Sequence, residues 1–345
     1  MAIDAGSLAA RKSLILIIFI ISHRTRSIFR AVLLTGGLLV RIQPEESPFR
    51  DPRDKNGTIR RTNATNSALR RESQWAPVTT EKSFRTQSSP RETDELNIQR
   101  ILSYLEHAYW TFTPDGDRRS RAPDVERVLR AGLTSAATPS LKGAYVASLR
   151  GVALTSEAVG WLTRVWLGDE VVTGLTLAEP DFIALAQALA VREVPGWKAI
   201  LEQQIGRTIN PDRKARLQFV VSALSSDPAE RDRFFASLAD VANRRHEPWV
   251  LDGLRSLHHP LRTASAVKYI DPSLKLLQEI QQTGDIFFPM RWMDATLGGH
   301  RSPEAAAIVR DFVDRAPRSY PDRLRRIILS SADDLFRASP SASAR

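Results

Sequence analysis

Proline at four regular positions is the feature that most constrains the fold of this chain. In each case Asn, Asp or Ser supplies a side-chain acceptor for the helix N-cap, and the proline that follows suits the first helical position. The carboxylates of Asp212, Glu230 and Glu304 then face the positive end of the helix dipole. The pattern predicts helices separated by very short turns, and the four segments are Asn210-Pro211-Asp212, Asp227-Pro228-Ala229-Glu230, Asp271-Pro272-Ser273 and Ser302-Pro303-Glu304.

Apolar residues recur at intervals of three and four from Leu96 onward, as in Ile98, Ile101 and Leu105, which is typical of amphipathic helices. The predicted fold class is therefore all-α over residues 96–338, followed by a disordered tail at 339–345. The predicted helices are 97–112, 123–132, 139–152, 155–167, 179–191, 195–206, 211–225, 228–240, 248–258, 260–270, 272–283, 287–297, 303–315 and 321–337.

The lengths of the turns predict how these helices are arranged. Short connections force consecutive helices to lie antiparallel, and a helix pair every 30 to 45 residues or so is the unit of HEAT-like repeats. We therefore expect an α-solenoid of HEAT-like stacked antiparallel helical hairpins. The alternative is a compact helical bundle, because no strict sequence repeat is visible.

The first 95 residues differ from the rest in composition. The apolar run Leu14–Ile21 follows Arg11 and Lys12 as in a signal peptide, but a membrane-spanning helix needs about 20 residues and no small-x-small cleavage site follows. We therefore expect a cytoplasmic protein without membrane contact, and export only if this run is a signal. Residues 43–94 are rich in Arg, Ser, Thr and Pro and are predicted to be disordered. The abrupt change near residue 95 fits a fused or mis-started reading frame.

The net charge of +10 is concentrated in the basic arm formed by residues 1–95. This arm holds sixteen Lys and Arg against ten Asp and Glu, which leaves 33 against 29 for the remainder of the chain. So small an excess predicts a solvated surface rather than a nucleic-acid interface. The absence of cysteine excludes disulfides, thiolate metal sites and cysteine nucleophiles.

Complete catalytic motifs are missing from the sequence. His246-Glu247-Pro248-Trp249-Val250 begins like the zinc motif HExxH but ends in Val, and Pro248 marks a helix start. His258 and His259 are adjacent, so they cannot chelate one ion from the same helical face, and a turn or C-cap role before Pro260 is favoured. We therefore predict no catalytic residue, no metal ligand and no cofactor in this chain.

The segment from Gly284 to Arg301 concentrates aromatic and basic residues. In a purely structural interpretation Phe287, Phe288 and Trp292 belong to the core and Gly298-Gly299 ends a helix. In a functional interpretation the basic residues line a concave face, where guanidinium groups hold a carboxylate. The candidate substrate or partner contacts are Arg291, His300 and Arg301.

Three stretches resemble the C-terminal region of bacterial aminopeptidase N type zinc metallopeptidases. They are His246-Glu247-Pro248-Trp249-Val250-Leu251 through Leu257-His258-His259-Pro260-Leu261-Arg262, the segment 284–301, and Ile327-Ile328-Leu329 with Ala332-Asp333-Asp334-Leu335-Phe336. The resemblance extends over about 97–338 and consists of local matches, without the family's HExxH, GAMEN or catalytic Tyr motifs.

The resemblance implies a HEAT-like helical bowl that closes a peptide chamber over a thermolysin-like catalytic domain and limits which peptides reach the zinc. It implies that this chain is a truncated or detached, non-catalytic domain, whose partner is a peptide or a catalytic metallopeptidase domain. Zinc belongs to the related full-length enzymes, and no zinc ligand can be carried over. The alternative is a free-standing α-solenoid that serves as a protein-interaction scaffold.

Overall fold

The computed structural model describes residues 16–17, 32–35, 38–39 and 94–339. The chain divides into two compact units, Met1–Glu92 and Thr93–Arg345. In the first unit, strands β1 (Leu16–Ile17), β2 (Val32–Thr35) and β3 (Leu38–Leu39) pair antiparallel. The predicted disorder over 43–93 and most of the apolar run Leu14–Ile21 lie outside the described residues. Among the residues that are described, no helix is long and apolar enough to cross a membrane.

Within residues 94–339 every regular element is helical, so the all-α prediction is confirmed there. The helices are α1 (Glu95–Thr111), α2 (Asp115–Ser135), α3 (Pro139–Val152), α4 (Ser156–Leu167), α5 (Glu179–Val191), α6 (Trp197–Arg207), α7 (Pro211–Leu224), α8 (Pro228–Ser237), α9 (Glu247–Leu257), α10 (Thr263–Ala266), α11 (Ile270–Thr283), α12 (Phe288–Leu297), α13 (Pro303–Arg315), α14 (Asp322–Ser331) and α15 (Asp333–Ala338). Short 3₁₀ helices lie at Val241–Arg244, Pro260–Arg262 and Val267–Tyr269.

Three of the four proline-marked starts are helix N-caps as predicted. The side chains of Asn210, Asp227 and Ser302 accept hydrogen bonds from backbone N–H groups in the first turns of α7, α8 and α13, at 3.0, 2.9 and 3.1 Å. Asp271 is not a cap, because α11 begins at Ile270 directly after the 3₁₀ helix Val267–Tyr269. The chain before Asp271 is already helical, so this carboxylate lies inside the first turn of α11.

Three predicted helix boundaries were wrong. Helix α2 begins at Asp115, and Pro123, which suggested a helix start, lies inside it. The preceding turns are held by the buried Arg118, whose guanidinium donates to Asp115 at 2.7 Å and to the Thr113 carbonyl at 2.9 Å. The helix predicted at 260–270 is broken into α10 and two 3₁₀ helices, and the one predicted at 321–337 is divided at Ala332 between α14 and α15.

Seven helices of the helical unit form a continuous row. Each of α1, α3, α5, α7, α9, α12 and α14 packs against the next, while α2, α4, α6, α8 and α11 pack beside members of the row. The terminal helix α15 packs against α14, α13 and the first helix α1. In that last contact His107 Nε2 lies 3.1 Å from a carboxylate oxygen of Asp334. The first and last helices of the unit are therefore in contact.

A cluster of buried apolar residues lies in the later helices. It extends from Ala223 in α7 to Leu335 in α15 and is built mainly of aliphatic side chains around Phe288 and Trp292, which are fully buried. Helix α12 is central to it, since it contacts α9, α11 and α14. The segment singled out in the sequence, residues 284–301, therefore lies on the most heavily packed helix of this cluster.

Candidate contact surface

Exposed apolar side chains cluster where α12 begins. Ile286, Phe287 and Met290 are 63%, 53% and 43% exposed, and the guanidinium of the exposed Arg291 lies 5.6 Å from the centre of the Phe287 ring. We call these four residues the 286–291 surface. The structural interpretation had placed Phe287 in the core, and for this residue it was wrong, because the first turn of α12 directs Phe288 inward instead.

Hydrogen bonds to side chains of α9 and α14 hold the backbone of this surface. The Asp285 carboxylate accepts a hydrogen bond from the Phe287 N–H at 2.6 Å, and the Asp285 N–H donates to Glu247 at 2.7 Å. The Ile286 carbonyl accepts from the Arg323 guanidinium at 3.0 Å. Because the segment is held by α9 and α14, its apolar side chains are presented in a fixed geometry.

The buried face of α12 holds the start of this helix against the core. Phe288 and Trp292 are one helical turn apart and pack edge to face, with ring centres 6.0 Å apart and almost no exposure. Residues four positions apart lie on the same helix face. Phe287 and Arg291, which are also four apart, share the neighbouring face and remain in solvent.

His300 is not part of this surface. It is only 3% exposed, and its Nε2 lies 2.8 Å from Nδ1 of His258, which is itself buried at the end of α9. The outer nitrogens of the pair, His258 Nε2 and His300 Nδ1, are buried and have no hydrogen-bond partner among the described residues. Gly299 permits this approach, because a Cβ there would overlap the His258 carbonyl oxygen. The predicted contact role for His300 requires an exposure that it does not have.

Burial keeps this histidine pair neutral. Desolvation lowers the pKa of His258 well below its usual value, and His300 adds to the effect. The pKa of His300 falls to about 4, chiefly through burial and secondarily through Arg301. A neutral ring donates from one nitrogen and accepts at the other, which accounts for the single hydrogen bond between the two rings.

Arg301 is mainly a structural partner. Its side chain is 13% exposed, and its Nε donates to Asp115 at 2.8 Å, the same carboxylate that pairs with Arg118. Its backbone carbonyl accepts a hydrogen bond from the Ser339 hydroxyl. Ser339, which the sequence had assigned to a disordered tail, is therefore buried and bonded, while 340–345 lie outside the described residues. Arg301 ties the chain after α12 to the start of α2.

The three predicted contact residues are therefore not brought together. Arg291 lies in the first turn of α12, and His300 and Arg301 follow its end. The ten residues of α12 correspond to about 15 Å of helix. No described hydrogen bond or ion pair joins Arg291 to the other two.

Two features of this region escaped sequence reasoning. The His258–His300 pair joins residues 42 positions apart, and neither periodicity nor motif spacing signals such a contact. Arg262, next to the adjacent histidines, is 5% exposed and donates to the carbonyls of Ala190, Ala223 and Leu224, at the ends of α5 and α7. His259, by contrast, has the turn role that was predicted, since its Nδ1 accepts from the Leu261 N–H at 3.2 Å.

The described residues offer little for metal chemistry. No group of three or more His, Asp or Glu side chains in the described ranges is arranged to hold a metal ion. Glu247 and Pro248 lie in the first turn of α9, so the helix start that Pro248 predicted is confirmed. What the region presents to solvent is a group of apolar side chains beside a guanidinium, and these residue types are enriched at protein interfaces.

Comparison with known proteins adds no family to this picture. No protein-family model and no curated protein matches the chain. The resemblance to aminopeptidase N type enzymes therefore rests on the residues quoted above.

Proposed function

We propose that the helical unit is a non-catalytic contact domain that associates with a zinc aminopeptidase catalytic domain of the aminopeptidase N type. The observation that carries the proposal is the 286–291 surface, in which three exposed apolar side chains and a stacked arginine lie together on a rigid helix start. Aromatic residues, Met and Arg are the types enriched at protein interfaces. The same stretch carries part of the sequence resemblance to these enzymes.

The packing of the helices supports a HEAT-like arrangement within this proposal. From α1 to α9 each helix of the row packs on the next but one in sequence, with the intervening helices beside it, which is what stacked helical hairpins produce. The step from α9 to α12 departs from this pattern, because it skips α10 and α11. The contact between α1 and α15 is an addition to that scheme, because a simple solenoid joins only neighbouring repeats. It leaves the helical unit with no open end at α1.

The second candidate is a free-standing interaction scaffold, and the contact between α1 and α15 favours it. His107 with Asp334, and Arg301 with Asp115, join the beginning and end of the unit, so its core does not need another domain to complete it. Both candidates use an exposed surface to bind a protein. They differ in whether that protein is a peptidase catalytic domain.

Association of the full chain with a separately expressed catalytic domain of an aminopeptidase N type enzyme, lacking its own C-terminal region, tests the proposal. We expect binding in calorimetry or sedimentation, with Phe287→Ser and Arg291→Ala each weakening it at least tenfold. Truncation of a hot-spot residue costs at least about 2 kcal/mol, which exceeds a tenfold change. Neither change should alter the melting temperature appreciably, because both side chains are exposed.

Ile209→Ser is the matched control, since Ile209 is an apolar residue 89% exposed between α6 and α7. It should leave the association unchanged. The peptidase assignment fails if the full chain does not bind the catalytic domain, and the assignment of the surface fails if Ile209→Ser weakens binding as much as Phe287→Ser. If the full chain folds but does not bind the catalytic domain, the free-standing scaffold is the better explanation.

A further inference from the structure

A second candidate site lies away from the 286–291 surface, where four helices of the row meet. A cleft of about 180 Å³ is lined by residues of α1, α3, α5 and α9 and by His259, which follows α9. Water occupies roughly 30 Å³ per molecule in the liquid, so the space corresponds to about six waters. It suits a ligand of about that many heavy atoms.

One wall of the cleft carries a carboxylate without a described hydrogen bond. Glu106 projects from α1 toward Gly151 of α3, where a Cβ would overlap its carboxylate, so the glycine makes room for it. Burial raises the pKa of Glu106, although Arg150 and Arg192 oppose that rise. This carboxylate is therefore partly desolvated and has capacity to accept hydrogen bonds from a bound group.

The opposite charge is supplied by Arg150 and Arg255. The guanidinium of Arg150 donates no hydrogen bond to any residue that the structure describes, and burial lowers its pKa. Arg255 is 60% exposed at its side chain and makes one long contact, 3.3 Å, to Asp252. Both guanidinium groups therefore have donors available to a ligand in the cleft.

Arg192 forms a fixed wall of the cleft. Its Nε donates to the Ala153 carbonyl at 2.7 Å, and its terminal nitrogens donate to the carbonyls of Ala188, Arg150 and Gly151 at 2.9, 2.7 and 3.0 Å. These bonds hold the end of α3 against the end of α5. Arg192 thus positions the cleft, whereas Arg150 and Arg255 have guanidinium donors that no described hydrogen bond uses.

A neutral donor completes the lining. Since Nδ1 of His259 accepts a hydrogen bond from Leu261, its proton resides on Nε2. Burial, with Arg192 and Arg262 acting in the same direction, lowers the pKa of His259 to about 3, so the ring is uncharged at neutral pH. Gln187 of α5 adds an amide that donates and accepts.

We propose that this cleft binds a small zwitterion, of the class of a free α-amino acid about the size of alanine. Arg150 and Arg255 receive the carboxylate, and Glu106 receives the ammonium group. A simple anion of the same size would meet the Glu106 carboxylate, and a simple cation would meet two guanidinium groups. Only a ligand with both charges is complementary to Glu106 and to the two guanidinium groups at once, and charge-assisted hydrogen bonds are the stronger ones.

The test is calorimetric titration of the full chain, without any partner, with alanine, propionate and ethylamine. Propionate lacks the ammonium group of alanine and ethylamine lacks its carboxylate, so the probes differ in which charge they carry. We expect alanine to bind at least tenfold more tightly than either of the others. Glu106→Gln should weaken alanine binding at least tenfold and leave propionate binding unchanged or tighter, while Arg150→Gln should weaken both.

Arg255→Gln provides a second variant on an exposed side chain, so a folding defect at the buried positions does not decide the outcome, and it should weaken alanine and propionate binding. Arg315→Gln, on the exposed end of α13, is the control and should change nothing. Propionate binding as tight as alanine would make the cleft an anion site and overturn the proposal. So would alanine binding that survives both Glu106→Gln and Arg255→Gln. The assay involves no partner, so its outcome is separate from that of the contact-domain proposal.

Discussion

The buried tryptophans in the two halves of the helical unit have different surroundings. In α1–α6 the buried indoles are held by polar partners, whereas in α7–α15 the buried Trp292 lies in an apolar cluster with its indole N–H unpaired among the described residues. The polar partners of the first half are Gly151 for Trp110, Glu170 for Trp161 and Gln204 for Trp166, with Arg118, Arg130 and Arg207 lying 4.8 to 5.0 Å from the three ring centres.

This difference explains where the two candidate sites lie. The first half buries charged and amide groups, and a cleft with ionisable walls occurs where its helices meet α9. The second half holds the apolar cluster around Phe288 and Trp292 beside buried polar groups such as Arg262 and the His258–His300 pair, and Ile286, Phe287 and Met290 form an exposed apolar group at its surface. Apolar packing is non-directional, whereas hydrogen-bonded partners depend on geometry, so the halves should respond differently to mutation.

The largest effect is expected from Trp292→Ala. Truncation of a fully buried Trp costs about 3 to 5 kcal/mol, because transfer energy is lost and a cavity is left. Guanidinium denaturation followed by circular dichroism measures it. Phe287→Ser, at an exposed neighbouring position, is the control. A decrease below about 1 kcal/mol in the free energy of unfolding for Trp292→Ala would mean that the apolar cluster contributes little to the stability of the second half.

Acid should weaken the second half more than the first. Unfolded histidine has its usual pKa of 6.5, whereas burial lowers the pKa of His300 to about 4 and also lowers that of His258. The unfolded chain therefore binds protons first as the pH falls, so the stability present above pH 6.5 is lost between 6.5 and 4. For His300 the loss is about 3 kcal/mol.

Denaturation midpoints at pH 7, 6, 5 and 4 measure this loss. His300→Gln cannot titrate, so its stability should fall less steeply over the same range. Equal slopes for the two proteins would show that the histidine pair does not govern the acid response.

Conservative substitutions of two buried tryptophans, Trp166 in the first half and Trp292 in the second, test whether their polar partners differ in importance. Trp166→Phe removes the donor to the buried Gln204 amide oxygen, 2.9 Å away, and an unsatisfied buried acceptor costs about 1 to 3 kcal/mol. Trp292→Phe removes an N–H that has no partner among the described residues, so only ring volume is lost. Urea denaturation should show the larger loss for Trp166→Phe. The opposite order would mean that polar partners do not distinguish the halves.

The smallest effect is expected on the exposed surface. Arg291→Ala removes a guanidinium that contacts only the half-exposed Phe287 ring in the described structure, so stability should change by less than about 0.5 kcal/mol. Thermal unfolding of the two proteins side by side measures the difference. A loss as large as that for Trp166→Phe would identify Arg291 as a structural residue.

The sequence predicted helices far better than it predicted contacts between them. The N-caps Asn210 and Ser302 accept hydrogen bonds from N–H groups of the first helical turn, so the local sequence alone indicates a helix start. Pro123 misled the prediction because a proline inside a helix has the same local signature as one at its start. In the structure the turns before Pro123 are held by Arg118, which donates to Thr113 and Asp115, and by the distant Arg301, which also donates to Asp115.

The candidate site was predicted only in part for the same reason. Arg291 is exposed beside aromatic residues as its segment suggested, but His300 and Arg301 have partners far away in sequence, His258 and Asp115. Helical periodicity reports which residues share a face of one helix. It contains no information on which helix covers that face, so the buried histidine pair was not foreseen.

Oxidative footprinting of the two methionines on α12 tests the central claim, that the 286–291 surface is where a catalytic domain binds. Met290 is 43% exposed on this surface, whereas Met293, one turn further along, is fully buried and provides an internal control. We predict that adding the catalytic domain of an aminopeptidase N type enzyme slows Met290 oxidation several-fold, measured by mass spectrometry, and leaves the already slow oxidation of Met293 unchanged. Formation of the complex with Met290 oxidised as fast as in the free chain would contradict the account.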